Sequence, residues 1–438
     1  MDLVKELQRL PVGRFHYQLL LLIGLGWLFD AMDTGLISFI LARLTEEWSL
    51  TATQKASIVS IAFVGMAIGA VLSGKLSDRI GRKNVFIGTL VIYSVATALC
   101  GLAPDLTALL VCRFVVGIGL GGQLPVAVSL MSEYLPSAVR GRFIVLLESF
   151  WGLGWLVSAL IAYFVIPDFG WRMAFLLGGL PLFYGIFLYY KLPESIPFLL
   201  QHGKKQQALH HFTQIHQTNK LPLPNIHADD VILGTSQKVS FGFGDLFSKS
   251  LYKSTVMLWV LWFGIVFSYY GIFTWLPSLL VNKGFTIVSS FEYVLLMIVA
   301  QLPGYLAAAW CVERFGRKAT LAGFIVMCAV SAYFFGQASS VAVLLVWGCL
   351  MSFFNLGAWG VVYTYTPELY PASMRATGSG AAAAVGRVGG IVAPMVITHM
   401  MVLNNAFSWI FIMFTAVMVL VAVVVLWLGE ETKGRVLG

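Results

Sequence analysis

Five ionisable residues lie inside long apolar runs of this chain: Asp30, Asp33, Arg113, Glu148 and Arg387. A charge in hydrocarbon is costly, so each needs a partner, a ligand or a proton. Asp33 lies ten residues before Arg43, about 15 Å into its run at helical rise. Arg113 lies eight residues after Asp105, about 12 Å into its own run. Similar depth would let the two pair. Such a pair is either a permanent salt bridge or a proton switch, in which protonating Asp33 releases Arg113. Asp30 shares a helix face with Asp33, and two close carboxylates do not both ionise cheaply. Asp30 therefore either joins the proton chemistry or hydrogen-bonds neighbouring helices. Glu148 either braces a loop through Arg140 or Arg375 or forms a second proton site. Arg387 has no acidic residue close in its half of the sequence, and its planar fork suits a carboxylate ligand. The alternative is bonding to backbone carbonyls, Gln301 or Asn355.

The elements that hold these residues are spanning helices. The chain is 59% hydrophobic and 11% charged, where a soluble domain carries about 25% charged residues. Its mean hydropathy is +0.85. Apolar runs of spanning length fall at 16–42, 54–74, 84–103, 107–130, 143–166, 172–190, 254–281, 291–312, 319–337, 340–365, 377–401 and 407–428. That pattern predicts an all-α membrane protein with twelve crossings. The domains expected are a six-helix bundle over 1–190, a connection with short helices over 191–252, and a second six-helix bundle over 253–438. The net charge of +8 does not point to nucleic acid, because Lys and Arg gather in loops on one side. The positive-inside rule then places both termini and the connection in the cytoplasm. The first run is long enough to act as an uncleaved signal.

Several motifs are set aside. His210, His211 and His216 sit on an amphipathic stretch around Lys204–His216, read as a solvated helix face rather than a metal cluster. A Pro-rich linker follows near Leu221–Asn225. Cys100, Cys112, Cys311, Cys328 and Cys349 lie in apolar runs without CxxC spacing and read as packing residues. Gly117-x-Gly119-x-x-Gly122 matches a dinucleotide fingerprint but lies in a membrane helix, where small residues at 117 and 121 serve close helix approach. No nucleophile–base pair, metal constellation or cofactor motif points to an enzyme.

The loops carry a repeat. Asp78, Gly81, Glu133, Pro136 and Arg140 recur 235 residues later as Glu313, Gly316, Glu368, Pro371 and Arg375. Two loops repeated at one offset imply two copies of one unit, as in secondary transporters. Asp78, Arg79, Arg82, Glu133 and Arg140, with Glu313, Arg314, Arg317, Glu368 and Arg375, read as conformational latches. Asp78 would accept from a helix N-terminus or pair with a basic residue.

Gly74-x-Leu76-x-Asp78-Arg79-x-Gly81-Arg82-Lys83 after the second run resembles the major facilitator superfamily, over nearly the whole chain. Glu133…Arg140-Gly141-Arg142 and Pro193-Glu194-Ser195 are similar to its sugar-porter and organic-ion branches. Narrower likeness is to the bacterial niacin permeases, and more distantly to synaptic-vesicle glycoproteins. It rests on Gly26-Trp27-Leu28-Phe29-Asp30-Ala31-Met32-Asp33, Leu147–Trp151, Phe267–Gly271 and Phe353–Gly360. Leu261-Trp262-Phe263 replaces the paired glutamines of sugar porters, which argues against a sugar. The resemblance implies proton-coupled uptake of nicotinate or nicotinamide by a monomer in the inner (plasma) membrane, by alternating access between the halves. It implies Asp33 and Arg113 as the coupling pair. It places Trp151, Tyr269, Tyr270 and Trp359 around the substrate, with Asn355 and Gln301. Arg387-Val388-Gly389 is similar to a stretch of organic-anion carriers. Aromatic walls and one cation suit a planar aromatic acid. Trp27, Trp155 and Trp427 read as lipid or belt residues. The alternatives are another aromatic acid such as benzoate, or a non-transporting membrane sensor.

Overall fold

Backbone buried in lipid has no water to bond, so a spanning segment must satisfy itself internally. The computed structural model describes residues 2–223, 243–371, 374–401, 403 and 405–433, and every long regular element among them is helical. In chain order these are α1 Leu3–Leu7, α2 Arg14–Trp48, α3 Ala52–Ile80, α4 Arg82–Gly101, α5 Leu106–Tyr134, α6 Ser137–Gly178, α7 Pro181–Lys191 and α8 Ile196–Gln201. There follow α9 Lys205–Thr218, α10 Tyr252–Asn282, α11 Ile287–Val299, α12 Gln301–Phe315, α13 Arg317–Gly336, α14 Val341–Glu368, α15 Arg375–Met400 and α16 Ala406–Leu428. The expected linker near Leu221–Asn225 leaves the described residues at position 224.

Among the described residues, 11 helical segments are long and apolar enough to cross a membrane, and one of them, Val139–Lys191, runs for 53 residues. At 1.5 Å per residue that is about 80 Å, far beyond a hydrocarbon core of about 30 Å. Gly170, three residues after Pro167, leaves helical geometry at φ 79°, ψ 170°. The segment therefore holds two crossings, the runs expected at 143–166 and 172–190. The run expected at 291–312 is also interrupted: α11 stops at Val299 and α12 starts at Gln301. Pro303 cannot donate to the carbonyl four residues back, which weakens the ladder there. Helix starts follow local chemistry. The side chains of Asp105, Thr286 and Ser340 accept from the backbone N–H of Ala108, Ser289 and Val343 and so cap α5, α11 and α14.

By packing, the chain forms two compact units. The first comprises Met1–Ala31, Val64–Trp151 and Phe175–Lys238; the second comprises Met32–Phe63, Gly152–Ala174 and Val239–Gly438. In the first, α4 packs on α5 and α7, and α8 packs on α9. The last part of α3 lies against α5 through glycines: a Cβ on Gly65 or Gly69 would strike the backbone of residues 114–118, and one on Gly121 would strike Met66. The expected close approach at Gly117 and Gly121 is thus formed, with backbone touching backbone. On α9, Ala208, Phe212 and Ile215 are buried. His210 is exposed on the opposite side, where it pairs with Gln214. In the second unit, α13 packs on α14 and α16, α12 on α14, and α10 on α15 and α16.

Two glycines of one motif make opposite demands. Gly81 sits at φ 100°, ψ 157°, a region only glycine enters freely, and an added Cβ would strike the Glu194 carboxylate. Gly74 is inside α3 with nothing near its missing Cβ. Gly81→Ala is therefore expected to cost about 1–3 kcal/mol. Gly74→Ala is expected to be neutral or to stabilise by about 0.5–1 kcal/mol. Thermal unfolding of the detergent-purified variants checks the contrast, and equal midpoints would contradict it.

Candidate functional site

The second unit contains an aromatic wall. Tyr269 and Tyr270 on α10 and Trp359 on α14 meet there, with ring centroids 5.0 Å apart for Tyr269–Trp359, 5.3 Å for Tyr269–Tyr270 and 6.3 Å for Tyr270–Trp359. Trp155 packs on Tyr269 at 5.6 Å, and Phe63 on Tyr270 at 4.7 Å. Trp262 extends the wall behind Trp359 and donates its indole N–H to Thr366 Oγ1 at 2.9 Å. Edge-to-face and tilted contacts of this kind favour a fixed arrangement.

The glycines around Arg387 pack against the helix that carries this wall. Gly386 packs on Trp262 and Val266, Gly389 on Phe263 and Phe267, and Gly390 on Phe63. These bring α15 against α10, and Arg387 on α15 is half-buried. Among the described residues Arg387 forms no ion pair or hydrogen bond. The bonds to Gln301 or Asn355 that would give it a purely structural role are not made. Asn355 is fully buried, its Nδ2 lying 3.5 Å from Cys328 Sγ and its Oδ1 lacking a partner. Gln301 is fully buried at the first residue of α12, and neither end of its amide has a partner.

In the first unit Trp151 packs on Trp27, with centroids 5.0 Å apart and planes at 39°. Glu148, one turn before Trp151, has no exposed surface; its carboxyl lies beside the Trp27 indole, its hydrogen-bonding neighbour among the described residues. It does not brace a loop: Arg140 donates to Leu135 O at 3.2 Å and Arg375 to Pro367 O at 2.9 Å. Asp30, Asp33 and Arg113 are all buried. The belt assignment fails for Trp27 and Trp155, which are 4% and 0% exposed, and suits Trp427, which is 81% exposed. Aromatic residues at spanning-helix ends and in cores have the same sequence signature, so only packing separates them.

The repeated loops hold matched ion networks. In the first unit Arg82 pairs with Glu133 at 3.2 Å and Asp78 at 3.1 Å. Glu194 Oε1 accepts from the backbone N–H of Arg82 at 2.9 Å and Lys83 at 3.2 Å, at the start of α4. In the second, Arg317 grips Glu368 through Nε and Nη2 at 3.0 Å each. Glu431 accepts from the N–H of Arg317 at 2.8 Å and Lys318 at 3.1 Å, at the start of α13. Tyr134 donates to Glu194 O and Tyr365 to Glu430 O. The helix N-termini are thus served by Glu194 and Glu431, while Asp78 takes the side-chain pair. Arg79 and Glu313 are exposed and form no bond among the described residues, and Arg314 lies over the Trp310 ring at 5.3 Å. The capping acids lie 112–114 residues from the helices they cap, and their own offset is 237 rather than 235, so the repeat did not expose them.

The profile of the sugar (and other) transporter family matches residues 22–438. The chain belongs to this family. It is a multi-pass membrane transporter with the major facilitator fold. It is 61% identical to the niacin transporter NiaP of Acinetobacter baylyi over 100% of this chain and 99% of that one. Identity to the putative niacin/nicotinamide transporter NiaP of Bacillus subtilis is 47%, over 95% and 96% of the two chains. The synaptic vesicle 2-related protein of Xenopus laevis is 32% identical over 97% of this chain and 80% of its own. The partially occluded inward-open structure of the E. coli xylose transporter XylE superposes with a TM-score of 0.79 at 21% identity, over 97% of this chain and 100% of that one. That likeness is one of fold.

Glu431 gives the transporter a testable acid dependence. Burial opposes its ionisation, but N–H donors from Arg317, Lys433, Thr432 and Lys318 outweigh this and hold its carboxyl below the usual range. A depressed folded value means the stabilisation is full above the unfolded value of about 4.3 and is lost as pH falls through the folded one. Glu431→Ala is expected to cost about 1 kcal/mol at pH 7, the usual effect of removing a cap. The gap in melting temperature between wild type and variant should narrow in acid; a gap independent of pH would contradict the assignment.

Proposed function

We propose that this protein takes up niacin, as nicotinate and with nicotinamide as a weaker substrate, in symport with protons by alternating access. The reading is supported by near full-length identity of 61% to a niacin transporter. The residue that carries it is Arg387, a half-buried arginine with no ion pair among the described residues, on the helix α15 that packs against α10, whose Tyr269 and Tyr270 form the aromatic wall with Trp359. A planar ring stacks on such a wall and a carboxylate suits the fork. Asn355 Oδ1 and the Gln301 amide offer further polar contacts. Asp33 and Arg113 carry the proton coupling, with Asp30 as a further candidate acid. The Arg82–Glu133 and Arg317–Glu368 networks act as latches that open and close during the cycle. The transporter is a monomer in the inner membrane with cytoplasmic termini, and the sequence repeats 1–190 and 253–438 are its two halves.

Nicotinate and nicotinamide share a ring and differ in charge, so they isolate the role of Arg387. Arg387→Ala should weaken nicotinate by about ten- to a hundred-fold, the effect of losing a charge-assisted bond of roughly 1.5–3 kcal/mol. Nicotinamide should lose much less, and Arg387→Lys should recover only part, because a point charge cannot bind bidentately. Binding titrations of both ligands read this out. Equal losses would make Arg387 a structural residue, and tighter binding of benzoate than nicotinate by wild type would reassign the substrate.

Coupling is tested separately. Asp33→Asn, which carries no titratable proton, should abolish accumulation of labelled nicotinate under a pH gradient in proteoliposomes. It should retain exchange of labelled for unlabelled substrate. Continued accumulation by Asp33→Asn would remove Asp33 from the coupling step.

A further inference from the structure

We propose that the end of α12 holds one anionic phospholipid, with its phosphodiester on Arg314 and an acyl chain along Leu306 and Trp310; nothing in this depends on the transported substrate. Leu306, Trp310 and Arg314 follow one another at four-residue spacing, so they form one stripe along the helix. The stripe faces outward: Leu306 is 75% exposed and Trp310 56%. On a helical segment of spanning length, Ile287–Phe315, an exposed apolar stripe meets acyl chains.

The stripe changes character at its last turn. Arg314 lies over the Trp310 ring at 5.3 Å and the Phe315 ring at 6.0 Å, and the two rings meet edge-on. Ring faces hold a guanidinium without using its N–H groups. Among the described residues no side chain or carbonyl accepts from those donors. Neighbouring acids do not neutralise the charge. Glu313 is exposed and unbonded, and the Glu431 carboxylate accepts from the backbone N–H of Arg317, Lys318, Thr432 and Lys433. A second cation reaches the same helix end: Lys433 donates from Nζ to Arg314 O at 2.9 Å, which leaves two N–H groups of its ammonium. Trp427, exposed on the last turn of α16 just before this segment, marks the headgroup level there.

These features select the headgroup. Two phosphate oxygens fit the guanidinium fork, and the exposed ring and Leu306 offer contact to the chain below. A lipid of net negative charge gains from both cations. A zwitterionic headgroup carries a cation of its own, which offsets the gain. The internal repeat supplies a contrast. At the offset of 235, Trp310, Arg314 and Phe315 correspond to Lys75, Arg79 and Ile80. Arg79 is exposed, with a lysine and an aliphatic residue in place of the rings, so the site belongs to the second half alone.

The experiment is native mass spectrometry of the full-length protein in detergent, titrated with phosphatidylglycerol or with phosphatidylcholine of the same chains. Wild type should hold one phosphatidylglycerol with about five-fold preference, the factor for one basic residue near an anionic surface. Arg314→Gln should bring the ratio towards one. Arg314→Lys should restore part of it, because a point charge neither stacks nor forks. Arg79→Gln should leave the ratio as in wild type. Each ratio is measured within one variant, so a general loss of folded protein cancels. An unchanged ratio in Arg314→Gln overturns the proposal. So does an equal fall in Arg79→Gln, which would make the preference one of general surface charge. Displacement of phosphatidylglycerol by inorganic phosphate at equal concentration would make this a free-anion site and overturn the lipid assignment. A wild type with no preference refutes it outright.

Discussion

Lipid supplies no hydrogen bonds, and the rest of this structure depends on that fact. It forces the spanning runs into helices, because only an internal ladder satisfies the backbone. It also removes apolar burial as a reason for helices to associate, since lipid tails are as apolar as the side chains. Association then rests on close contact. Gly65 and Gly69 on α3 against Gly117–Gly121 on α5, and Gly386 and Gly389 on α15 against α10, provide it by bringing backbone onto backbone. The second contact holds α15, which carries Arg387, against the helix that bears Tyr269 and Tyr270.

The same constraint separates two kinds of polar residue. Outside the hydrocarbon, charges are cheap and are used for bracing. Glu194 and Glu431 each cap a helix that follows a glycine at positive φ, and each sits next to an arginine–glutamate pair. The glycine is needed twice over, for its backbone angle and because a Cβ would occupy the place of the carboxylate. Within the hydrocarbon, a polar group with no protein partner is a liability unless a ligand or proton completes it. Gln301 and the Asn355 oxygen are such groups. Their presence in helices otherwise built from Leu, Val, Ile and Phe is hard to reconcile with a purely structural role.

Sequence alone determined the membrane class, the helical runs and the repeat at 235 residues. Each of these is local or periodic: an apolar run must be helical in lipid, and a duplicated loop keeps its spacing. The motif at Asp78–Arg82 and the charged residues inside the spans were visible for the same reason, as polar residues in the wrong solvent. The tertiary structure decided the partners. It gave the capping role to Glu194 and Glu431, more than a hundred residues from their helices, and of the two roles that sequence left open for Asp78 it showed the pair with a basic residue. It turned Trp27 and Trp155 from belt residues into packed ones, because an indole reads alike in a lipid interface and a core. It kept two expected spans apart at Gly170, where the backbone leaves helical geometry, and interrupted another at Ala300, just before Pro303. Above all it showed which buried polar atoms remain unbonded. That depends on distances between side chains on different helices, which periodicity along one helix does not encode.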